Sequence, residues 1–368
     1  MTALDERTTG LTAERGPFGV LADGSIVESV ELRNSQGVRA RVIAYGATLQ
    51  SLQVPDRHGR LDAITLGHDT IAPYERQRQF LGATVGRYAN RIAAARFVLD
   101  GRSYQLAKND GAQSLHGGSV GFDQRLWSIA QVQADHHSAS VTLCLHSADG
   151  DQGYPGNMTV RVTYALSEAN DLSISYLATT DKTTIVNLTH HSYFNLAGLL
   201  SGRSALDSTL QVESDAFTPI DAQLLPIGEI RAVAGTALDF RQPAILAARA
   251  RDVSDSQVLL ARGIDHNFVI RGAATRTPRL SATLHDPQSG RELRVLSTEP
   301  GLQIYTANHM DGTIPGHSGQ PMRQGDGIAL EAQKYPDTPN QPHFPSARLD
   351  PGQNYEQLTV YSLRLTHR

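Results

Sequence analysis

The residues best suited to chemistry lie in one stretch, residues 186–196, which reads VNLTHHSYFNL. In a β-strand, successive side chains point to opposite faces, so one face of this stretch would carry apolar residues together with His190 and Ser192. The other face would carry amides, hydroxyls and His191, and it has no charged side chain. Such a row can hydrogen-bond a neutral, hydroxyl-rich ligand. We therefore predict that His191 takes part in chemistry and that His190 is a hydrogen-bonded histidine of the core.

Five further segments carry polar groups of the same kind. Singly, each has an ordinary interpretation as a surface or turn residue, because charged side chains are mostly exposed. Together they supply many hydrogen-bonding groups with few surplus charges. The polar residues of these segments are Asn90 and Arg91 in residues 86–92, His116 before Gly117 and Gly118, Asp265 and Asn267 in 264–268, Gln303 and Tyr305 in 302–306, and Glu331 and Gln333 in 328–333. In each of the last three segments, the two residues would share one face of a strand.

The elements that must position these residues are short strands. Alternating apolar and polar runs recur between turn residues along the chain, for example at 27–32, 158–166 and 292–297. Many short strands with regular turns predict an all-β sandwich or barrel. Only residues 73–76 and 243–248 suggest short helices, each with proline in the first turn. No change of composition marks a linker, so we predict a flexible N-terminal tail, residues 1–16, and a single β domain, residues 17–368.

Composition excludes several classes of protein. The 368-residue chain is 40% hydrophobic and 19% charged, as expected of a folded protein, and its net charge of −4 offers no basic surface for nucleic acid. The single Cys144 can form no intrachain disulfide or cysteine metal cluster. No apolar run is long enough to span a membrane, and the charged N-terminus does not resemble a secretory signal. We expect a soluble, cytoplasmic protein.

Several motifs, in order, resemble those of the aldose 1-epimerases, the galactose mutarotases. The resemblance runs from about Tyr45 to Tyr355. The sequence differs from the family at His190, where Asn is common, and at Ala332, where Thr is common. The motifs that carry the resemblance are GRYANRI (86–92), LHGG (115–118), residues 187–198, GIDHNF (263–268), PGLQIYT (300–306), LEAQ (330–333) with YPD (335–337), and residues 340–355.

This resemblance implies a large antiparallel β-sandwich of the galactose mutarotase type with a monosaccharide bound on its concave face. It implies that His191 is the general acid and Glu331 the general base, and that neither a metal nor another cofactor is needed. It also implies sugar contacts from Asn90, Arg91, His116, Asp265 and Gln303. The activity implied is exchange between the α and β anomers of aldohexoses such as galactose and glucose.

Anomer exchange requires a base at the C1 hydroxyl and an acid at the ring oxygen, so that the ring opens and closes again from the other side. We expect Glu331 to be ionised and His191 protonated in the free enzyme. A carboxylate such as Asp265 near the imidazole would favour this protonated state.

Other functions remain compatible with these residues. Glu331 and Asp265 could be the two carboxylates of a glycoside hydrolase on a similar β-sandwich. The polar segments could also belong to a sugar-binding protein without turnover. A zinc enzyme is a weaker alternative, because His-Glu-x-x-His is absent and His190 and His191 would face apart.

Overall fold

Strands dominate the architecture, as the alternating pattern predicts. The computed structural model describes residues 10–366. The strands are, in chain order, β1 (Thr12–Val20), β2 (Ile26–Arg33), β3 (Arg39–Ile43), β4 (Thr48–Pro55), β5 (Leu61–Ala63), β6 (Thr84–Val85), β7 (Arg91–Ile92), β8 (Arg96–Leu99), β9 (Arg102–Gln105), β10 (Ser114–Leu115), β11 (Ser128–Ala134), β12 (Ser138–Ser147), β13 (Met158–Ser167), β14 (Asp171–Thr180), β15 (Thr184–Ile185), β16 (Thr189–His190), β17 (Tyr193–Phe194), β18 (Thr209–Val212), β19 (Ser214–Thr218), β20 (Arg231–Ala232), β21 (Ala244–Ile245), β22 (Asp265–Ile270), β23 (Arg279–His285), β24 (Arg291–Ser297), β25 (Gly301–Tyr305), β26 (Asp311–Pro315), β27 (Pro321–Arg323), β28 (Ile328–Gln333), β29 (Arg348–Leu349) and β30 (Tyr355–Leu365).

Three larger antiparallel sheets organise residues 10–366. The first has the order β1-β2-β3-β4-β5, and the second has the order β11-β12-β13-β14-β30-β24-β23-β18-β21. The third has the order β17-β28-β25-β22-β19-β20. Inward side chains of all three sheets, such as Leu52, Val162 and Leu330, belong to one apolar cluster. The prediction of a large antiparallel β-sandwich is confirmed.

Strand β28 shows how the fold separates packing from chemistry. Ile328, Leu330 and Ala332 join the main apolar cluster. The residues between them alternate to the opposite face, which places Glu331 and Gln333 away from that cluster. The same alternation on β22 and β25 gives the third sheet one apolar face and one polar face.

The stretch at residues 186–196 is not one continuous strand. Thr189 and His190 form β16, which pairs with β6, whereas Tyr193 and Phe194 form β17, which pairs with β28. The chain therefore changes partners between His190 and Tyr193. This change could not be read from the local pattern, because it depends on where the partner strands lie.

The helices are α1 (Ile71–Arg76), α2 (Leu246–Ala250) and α3 (Ser256–Ala261). The first two lie close to their predicted positions, although Ala244 and Ile245 form β21 instead of helix. Helix α3 was not predicted. Its first turn is capped by Asp255, whose carboxylate accepts hydrogen bonds from the N–H groups of Gln257 and Val258. None of the helices in the described residues has the length and apolar composition needed to cross a membrane.

The predicted N-terminal tail is wrong for residues 12–16. These residues belong to β1 and pair with residues 29–33 of β2. Strand β1 lies at a sheet edge with few buried side chains, so its polar sequence resembles that of a tail. Residues 1–9 of the predicted tail lie outside the described part of the chain, and the single-domain organisation stays a prediction.

Arg87 joins two parts of the fold from a fully buried position. Its guanidinium donates to the carbonyls of Ser147 (2.8 Å), Ala148 (2.7 Å) and Pro155 (3.0 Å). The side chain is 2% exposed, and burial lowers its pKa to about 10. The charge is therefore held by carbonyl dipoles and survives at neutral pH.

We expect Arg87→Met to lower the free energy of unfolding by about 3 kcal/mol or more, since each buried acceptor left unpaired costs about 1–3 kcal/mol. Urea unfolding measures this change. Arg161→Met on β13 is the matched control, because Arg161 is exposed, and its effect should stay within about 0.5 kcal/mol. Equal stabilities of the two variants would contradict this account of Arg87.

Candidate active site

The polar face of the third sheet carries three of the predicted site residues on neighbouring strands. Glu331 on β28 lies opposite Gln303 on β25, and Asp265 on β22 lies opposite Tyr305 on β25. Directly opposite residues project from the same face of a sheet. Gln303 Nε2 donates a hydrogen bond to Asp265 Oδ1 (2.7 Å), which fixes this carboxylate beside Glu331.

His191 reaches this face from the segment between β16 and β17. Its backbone N–H donates to the Ala83 carbonyl (3.0 Å), and its carbonyl accepts from Gly82 N–H (2.9 Å). The imidazole Nε2 lies 3.4 Å from Glu331 Oε1, and both side chains are at most 3% exposed. His191 Nδ1 and Glu331 Oε2 have no hydrogen-bond partner among the described residues. A buried imidazole and a buried carboxyl thus face each other, and each has one further polar atom without a hydrogen-bond partner among the described residues.

Burial decides the protonation of this pair. It lowers the pKa of His191 to about 4. Burial, reinforced by the charge of Asp265 and opposed by Arg91, raises the pKa of Glu331 well above its usual value. In the empty site at neutral pH, His191 is therefore neutral, and burial acts against ionisation of Glu331. The expectation of a protonated His191 is wrong for the empty site, because desolvation outweighs the effect expected of Asp265.

His190 takes the place predicted for it. Its Nε2 lies 2.6 Å from Ser192 Oγ, and its Nδ1 lies 3.3 Å from the Tyr164 hydroxyl. Burial lowers its pKa to about 3, so the imidazole is neutral. The two neighbouring histidines therefore lie in different surroundings, His190 in the core and His191 at the candidate site.

His116 follows β10 and contributes a hydrogen-bond donor. Its Nδ1 accepts a hydrogen bond from Asn90 N–H (3.1 Å), and burial lowers its pKa well below the usual value. A neutral imidazole whose Nδ1 accepts must carry its proton on Nε2. Its ring stands nearly perpendicular to that of His191, with 5.3 Å between centroids. His116 is thus a neutral donor beside His191 and Glu331.

Arg91 on β7 adds a positive charge to the same site. Its Nε donates to Asp110 Oδ2 (2.8 Å), and its backbone N–H donates to Asn90 Oδ1 (2.8 Å). The charge of Arg91 opposes the rise in the pKa of both Asp265 and Glu331. Arg91 therefore keeps these buried carboxyls closer to ionisation than burial alone would allow.

A cleft of about 310 Å³ joins these groups, a size suited to a small molecule. Among the predicted site residues, Gln303 does not line it and acts through Asp265. Sequence analysis did not predict the apolar and aromatic residues of the cleft wall that lie in the segments before β6 and after β25. The residues that line the cleft are Arg78, Gln79, Phe80, Asn90, Arg91, Leu115, His116, His191, Tyr193, Asp265, Tyr305, His309, Met310, Ile314 and Glu331.

Three members of the polar row at residues 186–196 donate hydrogen bonds to backbone carbonyls of other segments and do not line the cleft. Asn187 donates to the carbonyls of Ala89 and Lys334 (both 3.3 Å). Thr189 Oγ1 donates to the Ala332 carbonyl (3.0 Å), and Asn195 Nδ2 donates to the Arg203 carbonyl (2.9 Å). Only His191 and Tyr193 of this row line the cleft. Tyr193 could have been found from the pattern, whereas Phe80 and Ile314 give no such signal.

A larger cleft, of about 440 Å³, lies over the first sheet. It contains another imidazole–carboxyl pair, His317 Nδ1 and Asp69 Oδ1, at 2.7 Å. Asp69 is 59% exposed, so water screens this pair. The buried pair of His191 and Glu331 is the stronger candidate for chemistry.

His116, His191 and Glu331 have the ligand types of a zinc site, with ligand atoms within 4.8 Å of one another. A metal requires an unprotonated ligand nitrogen. In His116, Nδ1 already accepts the hydrogen bond from Asn90, and Nε2 therefore carries the proton. The arrangement fits hydrogen bonding to a ligand better than metal coordination.

Comparison with known proteins gives one consistent result. A family model described as aldose 1-epimerase matches residues 28–362. The chain is 42% identical over 352 residues to a galactose mutarotase of Bos taurus, covering 95% of this chain and 98% of that protein. It is 37% identical over 341 residues to an aldose 1-epimerase of Escherichia coli, covering 92% and 96%. A crystal structure of a galactose 1-epimerase from Lactobacillus acidophilus matches with a TM-score of 0.85 at 30% identity, covering 97% of this chain and all of that one.

We predict that neither His190 nor His191 titrates between about pH 5 and 8 in the ligand-free protein, because burial lowers both pKa values to about 3 and about 4. NMR titration of the imidazole resonances, assigned with His190→Asn and His191→Asn, measures this. A midpoint near 6.5 for His191 would contradict the protonation state derived above.

Proposed function

The chain belongs to the aldose 1-epimerase family, and from that premise we propose that it interconverts the α and β anomers of an aldohexose such as galactose or glucose, with His191 and Glu331 as the proton-transfer pair. It is an isomerase of that family. The observation that carries the assignment of the pair is the 3.4 Å approach of Nε2 and Oε1 within a buried cleft.

The chemistry needs two proton transfers at neighbouring atoms. The C1 hydroxyl and the ring oxygen are bonded to the same carbon, so a base and an acid that stand side by side can reach both. Glu331 takes the proton of the C1 hydroxyl while His191 gives one to the ring oxygen, and the bond from C1 to the ring oxygen breaks. The open aldehyde rotates about the C1–C2 bond. Closure on the other face reverses both transfers and yields the other anomer.

Substrate binding must favour a protonated His191 and an ionised Glu331. A proton transfer from Glu331 to His191, whose Oε1 and Nε2 lie 3.4 Å apart, leaves the net charge of the pair unchanged. The C1 hydroxyl donating to Glu331 and the ring oxygen accepting from His191 both favour the charged arrangement. Arg91 favours it further by stabilising the carboxylate. We propose that the sugar selects the reactive protonation state as it binds.

The remaining groups hold the hydroxyls of the sugar. His116 offers its Nε2–H as a donor, and Arg91 and Asn90 offer further donors along the same wall. Asp265, oriented by Gln303, accepts from sugar hydroxyls. Both hydrogen-bond donors and hydrogen-bond acceptors are thus available to a neutral polyol. A free monosaccharide is the proposed substrate, and the cytoplasmic location stays a prediction.

The other functions considered fit the geometry less well. A glycoside hydrolase uses two carboxyl groups on either side of the bond it cleaves. Here Glu331 faces an imidazole at 3.4 Å, and Asp265 accepts a hydrogen bond from Gln303. A binding protein without turnover would have no use for two buried ionisable groups with unpartnered atoms, which carry a desolvation penalty.

We expect the protein to accelerate the optical rotation change of fresh α-galactose or α-glucose, and Glu331→Gln and His191→Asn each to lower kcat by roughly 10²–10⁴-fold. Both replacements are close in size to the native side chain, so circular dichroism should show an intact fold. His190→Asn is the matched control. It loses core hydrogen bonds and some stability, but it should keep most of the turnover.

Failure of the wild-type protein to accelerate either sugar would contradict the proposed activity. An active His191→Asn beside an inactive, folded His190→Asn would contradict the assignment of the acid.

A further inference from the structure

Two side chains of the segment between α1 and β6 face the acid–base pair without a role in the proton transfers. The Phe80 ring lies with its centroid 4.5 Å from that of His116 and 5.7 Å from that of His191. Phe80 has a φ of 57°, in the left-handed region that bulky residues rarely adopt. One aromatic ring, held on an unfavourable backbone, therefore contacts both imidazoles of the site.

Arg78 fixes the segment that carries Phe80. Its guanidinium binds both carboxylate oxygens of Asp123, from Nε at 2.8 Å and from Nη2 at 2.7 Å. Nη1 donates to the Gly118 carbonyl (2.6 Å), and Nη2 also approaches the His116 carbonyl (3.4 Å). Asp123 is almost fully buried. Arg78 thus ties its own segment to the one that begins at His116.

The same guanidinium covers the Phe80 ring. Its Cζ lies 4.7 Å from the ring centroid, in the range of a cation–π contact. A planar guanidinium that is bidentate to a carboxylate has little freedom to move. The ring of Phe80 is therefore held between Arg78 and His116.

His116 has the same kind of backbone as Phe80, with a φ of 49°. Two residues in left-handed conformations thus face each other, and one guanidinium contacts the ring of the first and the carbonyl of the second. Such strain persists only where the surrounding contacts determine the conformation, and it concentrates at functional sites.

We propose that Arg78 and Phe80 are positioning residues for the reaction: Arg78 locks the two segments together, and the Phe80 ring sets the orientation of the His116 and His191 imidazoles. This rests on the proposed function of the pair. Rotation of an imidazole about its second side-chain torsion is soft, so ring contacts are needed to define it. An error of about 1 Å in the position of a reacting group can cost on the order of 100-fold in rate.

A role in packing alone would have a different signature. Glu331, His116 and Tyr193 are titratable neighbours of His191, and Arg78, Arg91 and Asp265 line the same cleft. Phe80 is an apolar neighbour of the imidazole in that cleft. Loss of the Phe80 ring would admit water to His191 and raise its pKa from about 4 toward 6.5. A packing role would lower stability and leave that titration in place.

The test compares Phe80→Leu, Phe80→Ala and Arg78→Met with Phe80→Tyr, which keeps the ring. Arg102→Met is the matched control, because Arg102 also lies over an aromatic ring, that of Tyr104 at 5.2 Å, on the exposed strand β9. Polarimetry with α-galactose gives kcat and KM, NMR gives the titration midpoint of His191, and urea unfolding gives stability.

We expect Phe80→Leu and Arg78→Met to lower kcat at least about tenfold with a smaller change in KM, and Phe80→Leu to raise the His191 midpoint. Phe80→Tyr should retain most of kcat, and Arg102→Met should match the wild type. If Phe80→Ala does not fold, Phe80→Leu decides the question.

Folded Phe80→Leu and Arg78→Met with kcat and the His191 midpoint unchanged would overturn the positioning role. An inactive wild-type protein would instead reject the proposed function, while the NMR midpoint would still test whether Phe80 shapes the surroundings of His191.

Discussion

The proposed active site depends on one constraint: a carboxyl and an imidazole are buried together, with Glu331 Oε1 and His191 Nε2 3.4 Å apart. Burial disfavours charge on each group separately, which lowers the pKa of His191 and raises that of Glu331. Moving a proton from Glu331 to His191 leaves the net charge of the site unchanged. We propose that hydrogen bonds from a bound sugar select between the two arrangements. Reversible ring opening needs this kind of symmetry, because each group must give and take a proton in one cycle.

The fold supplies this pair by dividing the faces of one sheet. Strand β28 buries Leu330 in the main core and turns Glu331 to the opposite face, so the carboxyl proposed as the base lies on a strand of the sheet. His191 arrives from a segment that passes from pairing with β6 to pairing with β28. The change of partners places the imidazole over the polar face. Loops then complete the cleft, with His116 and Phe80 both in left-handed conformations.

Local periodicity was enough to predict much of this site. Alternation along a strand is a property of the backbone, so His190 and His191 were assigned to opposite faces correctly even though the strand is interrupted. The resemblance to the aldose 1-epimerases supplied the sugar contacts, and the family is confirmed. The roles of the individual residues stay predictions. Strand β1 was missed because an exposed edge strand has the composition of a tail.

The features that sequence analysis could not predict depend on contacts between distant parts of the chain. Thr189 belongs to the polar row that was predicted to suit a ligand, but its hydroxyl donates to the carbonyl of Ala332, far along the sequence. The protonation of the pair follows from burial, which is set by the packed structure and not by neighbouring residues. Phe80 lies in a segment without regular structure, where an apolar residue has no periodic pattern to reveal its role.

The central claim is that His191 and Glu331 act as one unit on one substrate. A double-mutant cycle tests it most directly, with kcat for α-galactose measured by polarimetry for the wild type, Glu331→Gln, His191→Asn and the double variant. If the pair acts together, the loss in the double variant will fall well short of the product of the two single losses, because either change alone already disables the shared proton transfer. Losses that multiply would show that the two residues contribute independently, and would contradict the account.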